Sequence, residues 1–317
     1  MDNSILIIST NWIGDAIMSM PAVEIFRAEN PLTKITVLTK PGLQPLWRMH
    51  PAVDEIQLMK KPFATARRLR KNNYSAAIIF PNSFRSAFVP FLAGIPVRAG
   101  ACGDCRRLLL TQTVAVPNGH QQFEYMNLLG VQGDPPPPAI SVPADAIESV
   151  KEKIKIKNKT LITILPGAAR GPSKRWPAEN FAAVAKRLNS KLGAQIIFSG
   201  GADDAAVCDE ISSTVGGISL AGKTTIQEWA ALLKISDCVI SNDSGGMHLA
   251  TAVGTPVAAV FGITDPSKTG PLGRAAVLQK SEFRARDIAR HSEEAIRALA
   301  AVTPDDVFAA AVRLLGI

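Results

Sequence analysis

Asn242-Asp243-Ser244-Gly245-Gly246-Met247-His248 follows the apolar run Cys238-Val239-Ile240. A strand therefore empties into a glycine-containing turn, and a helix begins there. In a parallel α/β sheet that junction lies at the carboxyl edge of the strands, where ligands collect. The free N–H groups of a helix start favour an anion, typically a phosphate. Asp243, at the mouth of the turn, can accept hydrogen bonds from hydroxyls. Together these features suit a phosphorylated, hydroxyl-rich ligand such as a nucleotide sugar. The competing account is that Asp243 or Ser244 only caps the helix.

Two further segments carry chemistry. The first apolar strand, Ile5–Ile8, runs into Ser9-Thr10-Asn11-Trp12-Ile13-Gly14-Asp15 and then Ala16-Ile17-Met18-Ser19-Met20-Pro21. Gly14 suits a tight turn, and Asp15 falls at or near the start of the first helix. It is either an N-cap, which spacing alone favours, or a general base for a hydroxyl proton. Trp12 suits either stacking on a sugar or core packing. The second segment is Pro166-Gly167-Ala168-Ala169-Arg170-Gly171-Pro172-Ser173-Lys174-Arg175-Trp176-Pro177. It reads as a strand, a loop with two glycines, two adjacent cations, and a helix with proline at its first turn. Lys174 is placed to pair with a diphosphate as a point charge. Arg175 can do so bidentately or can tie the loop to a carboxylate. A third group, Lys60, Lys61, Arg67, Arg68, Arg70 and Lys71, fits a solvated helix face or a contact with an anionic acceptor or membrane.

Several chemistries lack their usual signature. Neither half carries G-x-G-x-x-G after its first strand, nor G-x-x-x-x-G-K-[ST], and no two aspartates are separated by a single residue, so no D-x-D metal clamp is written here. Cys102 and Cys105 form a C-x-x-C in a Gly- and Arg-rich loop, while Cys208 and Cys238 stand alone. That pattern fits reduced thiols rather than a zinc or redox site. The net charge is +8, with 14 Lys+Arg against 11 Asp+Glu in residues 1–150 and 21 against 16 in the remainder. The excess is modest and evenly spread, which argues against a nucleic-acid groove and suits an anionic substrate or membrane surface. No run of 18 apolar residues or basic leader appears, so the expectation is a cytoplasmic protein.

The elements that position these groups alternate. Strands are expected at Ile5–Ile8, Ile35–Leu38, Ile56–Leu58, Ala76–Phe80 and Val114–Val116, with amphipathic stretches at Ala22–Glu29 and Thr65–Lys71. The tract Pro135–Pro138 cannot join a helix or central strand, and an amphipathic helix, roughly Ala144–Lys155, follows it. The pattern then restarts with strands Leu161–Leu165, Gln195–Ser199, Ser219–Leu220, Cys238–Ser241 and Val257–Phe261. Helices there are Pro177–Leu188, Ala202–Thr214, Ile226–Leu233 and Gly246–Val253, and a last one spans about Pro304 to Leu315. Near-continuous apolar strands alternating with helices predict parallel sheets covered on both faces. A chain of 317 residues then divides into two Rossmann-like α/β domains, 1–150 and 151–317, with a cleft between them.

Against that background, Gly14-Asp15 followed by Met20-Pro21-Ala22 resembles the opening motif of the ADP-heptose:lipopolysaccharide heptosyltransferases, glycosyltransferase family 9. Pro166–Pro177 resembles the Gly-Pro-x-Lys-Arg-Trp-Pro signature of the heptosyltransferase II branch, and Ser241–His248 is similar to the family's donor-site motif. The likeness covers essentially the whole chain. It implies a GT-B fold with the acceptor on the N-terminal domain and ADP-heptose on the C-terminal one. The implied reaction is inverting transfer of heptose from ADP-L-glycero-D-manno-heptose to a heptose of the lipopolysaccharide inner core, borne on Kdo-lipid A. It would need no cofactor and would take place at the cytoplasmic face of the inner membrane.

By the same resemblance Asp15 is the catalytic base. Gly167, Ser173, Lys174, Arg175, Asp243, Ser244, Gly245, Gly246 and His248 form the donor site, with His248 ordering the helix start. Apart from the resemblance, Trp12, Lys60, Lys61, Arg67 and Arg68 stand as candidates for the acceptor side. The chain departs from the pattern at Ala169-Arg170, where members often have Glu and an aromatic residue, and at Gln227, where an acid is common. Glu228 is adjacent but fits a capping box with Thr225. Rival readings are a heptosyltransferase I-type acceptor, a nucleotide-sugar epimerase or hydrolase, and a non-catalytic nucleotide-sugar binding module.

Overall fold

The computed structural model describes residues 4–103, 105–156, 160–285 and 289–317. The chain divides into two units, residues 1–140 and 141–317. The first contains β1 (Ser4–Ile8), α1 (Ile13–Glu29), β2 (Lys34–Thr39), α2 (Gln44–Arg48), β3 (Glu55–Leu58), α3 (Pro62–Leu69), β4 (Ala76–Ile79), α4 (Phe84–Leu92), β5 (Val97–Ala101), β6 (Gln112–Val114) and α5 (Gln122–Leu129). Its strands form one parallel sheet in the order β3-β2-β1-β4-β5-β6.

The second unit contains α6 (Ala144–Ile154), β7 (Leu161–Leu165), α7 (Ala178–Leu192), β8 (Gln195–Phe198), α8 (Ala205–Val215), β9 (Ile218–Ser219) and α9 (Ile226–Ile235). It continues with β10 (Cys238–Asn242), α10 (Gly245–Ala252), β11 (Val257–Val260), α11 (Pro266–Thr269), β12 (Ala275–Leu278), α12 (Glu293–Ala300) and α13 (Pro304–Leu315). Its sheet, also parallel, runs β12-β11-β10-β7-β8-β9. Counted from the first strand of each unit, both sheets have the doubly wound order 3-2-1-4-5-6, which reverses direction between the first and fourth strands. That reversal opens a crevice beyond the carboxyl ends of those two strands.

The central strands explain why the sequence reads so plainly. Leu6, Ile7, Ile162, Ile164, Val239 and Ile240 are fully buried because helices cover both faces. Burying each such side chain contributes roughly 1.5–3 kcal/mol. Two strands escaped sequence reading. In β5 the apolar run is broken by Arg98 and Gly100, and β12 is a partly exposed edge strand. Helix α1 starts at Ile13, close to the Asp15 start that the sequence placed, and runs through the expected stretch Ala22–Glu29; Ala16–Val23 is buried on every side and so shows no polar face. Pro21 sits inside it. Cys208 and Cys238 are core residues, and burial pushes both thiols up to about 12, which keeps them unreactive. Among the described residues no helix is long and apolar enough to cross a membrane.

The expected boundary at 150 moves to 140/141. Helix α6 belongs wholly to the second unit, because Ala146, Val150 and Ile154 pack with Leu161, Ile197, Leu220, Ala231 and Leu232. Its polar side is tied to α9. Glu228 accepts from Ser149 Oγ at 2.7 Å and pairs with Lys153 Nζ at 2.6 Å, while closing a capping box with Thr225. The Lys153 ammonium first, then Ser149 and the Thr225 N–H, hold the Glu228 carboxyl down at about 2 against an ordinary 4.5. A depressed carboxyl stabilises the fold fully above its unfolded value and loses that contribution as pH falls toward the folded one. Glu228→Gln is therefore expected to lower the melting temperature at pH 7 by about 2–5 °C. The deficit should close between pH 4.5 and about 2 in melts followed by circular dichroism; a deficit constant across that range would remove the charge from the account.

Candidate active site

In the second unit the loops leaving β7 and β10 start on neighbouring strands at the reversal of the sheet. Asn242, the last residue of β10 and fully buried, fastens one loop to the other. Its Nδ2 donates to the carbonyls of Pro166 at 2.7 Å and Gly167 at 3.4 Å, and its Oδ1 accepts the Trp176 N–H at 2.9 Å. Trp176 is anchored in turn, with its indole N–H donating to Val302 O at 2.9 Å and its ring edge-on to Phe181. Between these fixed ends the chain makes a single 3-10 turn, Pro172–Lys174.

That turn brings Lys174 Nζ to 2.6 Å from Asp243 Oδ2, with both side chains largely buried. Asp243 follows β10 directly, and α10 begins at Gly245 with Ser244 as an N-cap whose side chain makes no capping bond. The capping account of Asp243 and Ser244 is thus displaced. An ammonium–carboxylate pair stands beside an open helix start, an arrangement that can receive a diphosphate at the helix dipole and hydroxyls at the carboxylate.

The remaining expected donor-site residues separate into two groups. Gly167 and Gly246 are required by close approach. A Cβ on Gly167 would lie 2.1 Å from the Asp204 carboxylate, and one on Gly246 would lie 2.5 Å from Leu165 Cδ1. His248 is buried in the first turn of α10. Ser173 and Arg175 are committed within the protein. The Ser173 hydroxyl donates to Ala289 O at 2.6 Å and accepts the Ser292 N–H at 2.8 Å, which stitches the loop to the segment before α12. Arg175 lies 3.6 Å from Asp204 and donates to Ala168 O, so it takes the loop-tying alternative. Glu228 is occupied by its cap and by α6, as described above.

In the first unit β1 and β4 flank the reversal. Trp12 is the N-cap of α1 and 57% exposed, so it is not core packing. Asp15 is the third residue of α1 and half-buried; it is not the N-cap that spacing suggested. Gly14 makes no turn but is a buried helical residue. Beside this start lies Tyr125 of α5, whose hydroxyl accepts from Gln121 Nε2 at 2.6 Å. Burial first, and the Asp15 charge second, hold its phenol protonated far above the ordinary value.

Sequence reading missed Arg106. It is fully buried, donating to Ala101 O at 2.8 Å and Asn82 Oδ1 at 3.1 Å, and also to Pro81 O. It thereby clamps the loops after β4 and β5, in the space that Gly100 leaves open. Of the expected acceptor cations, Lys60, Lys61 and Arg67 are exposed, whereas Arg68 donates to Leu58 O.

The Lys174–Asp243 pair yields a stability test. Lys174→Ala strands a largely buried carboxylate and is expected to destabilise the protein by about 2–4 kcal/mol. Lys174→Ala combined with Asp243→Asn should be the milder change in urea unfolding; equal losses would show the two groups to be uncoupled.

The model of glycosyltransferase family 9 (heptosyltransferase) matches residues 63–296. Lipooligosaccharide heptosyltransferase 2 of Haemophilus ducreyi is 32% identical over 307 residues, covering 86% of this chain and 87% of that protein. Lipopolysaccharide heptosyltransferase 2 of Escherichia coli K12 is 30% identical, with 86% of each covered. Among solved structures, the ADP-heptose lipopolysaccharide heptosyltransferase II of E. coli superposes with a TM-score of 0.87 at 28% identity, covering 98% of each chain. A family 9 glycosyltransferase from Veillonella parvula, at 23% identity and a TM-score of 0.87 over 99% and 98% of the chains, shares the fold. The two parallel six-stranded sheets are those of the GT-B fold, and the chain belongs to glycosyltransferase family 9, the heptosyltransferases.

Proposed function

We propose that the protein transfers heptose, with inversion, from ADP-L-glycero-D-manno-heptose to a heptose of the lipopolysaccharide inner core. The reaction is placed at the cytoplasmic face of the inner membrane, with the protein peripheral to the lipid that carries the acceptor. The observation that carries the reading is the Lys174–Asp243 pair at the open start of α10, in a chain whose full-length relatives are heptosyltransferases.

In this reading each unit supplies one half of the reaction. Asp15 accepts the proton of an acceptor hydroxyl as its oxygen attacks the anomeric carbon of the donor. The sugar passes through a state of oxocarbenium character, and the bond to the diphosphate breaks with ADP leaving as the anion. Lys174 and the N–H groups of Ser244, Gly245 and Gly246 stabilise that growing charge, with no cofactor assigned a step. Because Asp243 already holds Lys174 in place, the ammonium needs little reorganisation when the diphosphate arrives. Asp243 Oδ2 is used by the lysine, and its second oxygen accepts from the donor. Trp12, exposed at the start of α1, offers a face for the acceptor sugar.

Asp15→Asn is expected to cut turnover by roughly 100-fold or more while ADP affinity, measured by calorimetry, stays unchanged. Near-normal turnover would remove Asp15 from the base role. Mass measurement of products formed from ADP-heptose and a heptose-deficient core acceptor tests the reaction itself. Release of ADP without an enlarged acceptor would identify a hydrolase instead.

A further inference from the structure

The even spread of charge dissolves at finer scale. Residues 56–123 contain ten Lys or Arg and one acid, Asp104, leaving 25 basic and 26 acidic residues elsewhere. The acids that mask this in the first 150 residues lie outside the stretch. Of the nearest ones, Asp54 and Glu55 are paired with Arg27 and Lys34, and Glu124 is buried and accepts from Asn82. The net charge of the protein is therefore the charge of one segment, which runs from Ile56 of β3 through β6 and contains α3 and α4.

The same segment exposes aromatic rings. Phe63 of α3 is 71% exposed, and Phe84 and Phe91 of α4 are 47% and 43% exposed. Phe84, Phe88 and Phe91 fall on one face of α4 by helical spacing. Phe88 joins the two helices, stacking on Phe84 at 5.7 Å and meeting Phe63 edge-on at 6.1 Å. Single exposed apolar residues are ordinary, but a contiguous aromatic patch marks an interaction surface. The cations stand at its rim. Lys60 and Lys61 precede α3, Arg67 lies one turn beyond Phe63, and Arg85 follows Phe84, all four exposed. A second copy would set cations against cations. Phenylalanines with no polar handle, ringed by Lys and Arg, have the chemistry of an interfacial anchor for anionic lipid.

We propose that this face of the first unit docks on an anionic phospholipid bilayer. Phe63, Phe84 and Phe91 enter the boundary between headgroups and acyl chains, braced by Phe88, which packs back on the core, and Lys60, Lys61, Arg67 and Arg85 pair with lipid phosphates. The inference rests on the lipid-borne acceptor of the proposed function and gives that contact a surface. Helices α1, α3 and α4 all begin beyond the carboxyl ends of their preceding strands. Asp15, Phe63 and Phe84 therefore share one edge of the sheet, so docking there holds the base at the level to which an acceptor's sugars rise from the membrane.

The test is flotation of the full-length protein with vesicles of phosphatidylglycerol and phosphatidylethanolamine, against vesicles of phosphatidylcholine alone. Binding to the anionic vesicles only, weakening with added salt, is expected. Phe63→Ser with Phe84→Ser should reduce it roughly tenfold or more while turnover on a delipidated, soluble acceptor is retained. Equal binding to both vesicles, or binding untouched by the substitutions, would overturn the proposal. So would a dimer, seen by sedimentation, that the same substitutions dissolve, or displacement of the vesicles by the soluble phosphorylated acceptor or by an oligonucleotide. Vesicle binding without any heptose transfer would refute the proposed reaction and leave the docking surface standing.

Discussion

The second unit's site depends on how one buried amide is satisfied. Asn242 ends a fully buried strand, and its donors and acceptor reach both ends of the neighbouring loop. A carboxylate of the same shape would lose the donors and bring an unpaired charge indoors. An apolar residue would leave the Pro166 carbonyl and the Trp176 N–H without partners, at about 1–3 kcal/mol for each buried group left unmade. With both loop ends pinned to β10, the residues between them have little freedom. Lys174 then meets the aspartate that follows Asn242 in the chain. The ion pair is a product of backbone register, and Asn242 enforces that register.

The two units present opposite electrostatics on the same scaffold. After its first strand, the N-terminal unit places a carboxylate beside a buried, protonated phenol. After its first and fourth strands, the C-terminal unit places an ammonium and an uncapped helix start. Neither charge is left bare in a dry interior. Asp15 keeps partial exposure, and Lys174 and Asp243 neutralise each other, which offsets most of the desolvation cost that a lone buried ion would carry. The glycines at 167 and 246 are needed because backbone packs there against Asp204 and Leu165, so part of the family-like glycine pattern is steric.

Much of this was legible in the sequence because its causes are local. Continuous apolar strands announce a parallel sheet, α13 appears where its proline and periodicity place it, and Thr225-x-x-Glu228 announces a capping box. What stayed hidden depends on partners far along the chain. Asn242 works through a carbonyl 76 positions away, and Ser173 through one 116 positions away. Arg106 looks like any cation in a basic loop, yet it is buried because acceptors from the loops after β4 and β5 and from Ser86 of α4 converge on it. The start of α1 was legible from the turn before Asp15, although its first half, buried all round, carries no periodic signal. The charge was misread through averaging: a window of 150 residues mixed the basic segment with acids at its two flanks.

Each sheet draws all its strands from one uninterrupted stretch of chain, the first closing with β6 before the division at 140/141 and the last helix, α13, packing within its own half. Among the described residues, no strand of the earlier half pairs with one made later. During synthesis, which proceeds from the N-terminus at about 5–20 residues per second, the first half can complete its hydrogen-bond ladder while the second is still being translated. The duplicated topology thus separates folding into two consecutive events and keeps strands of one half from competing for edges of the other.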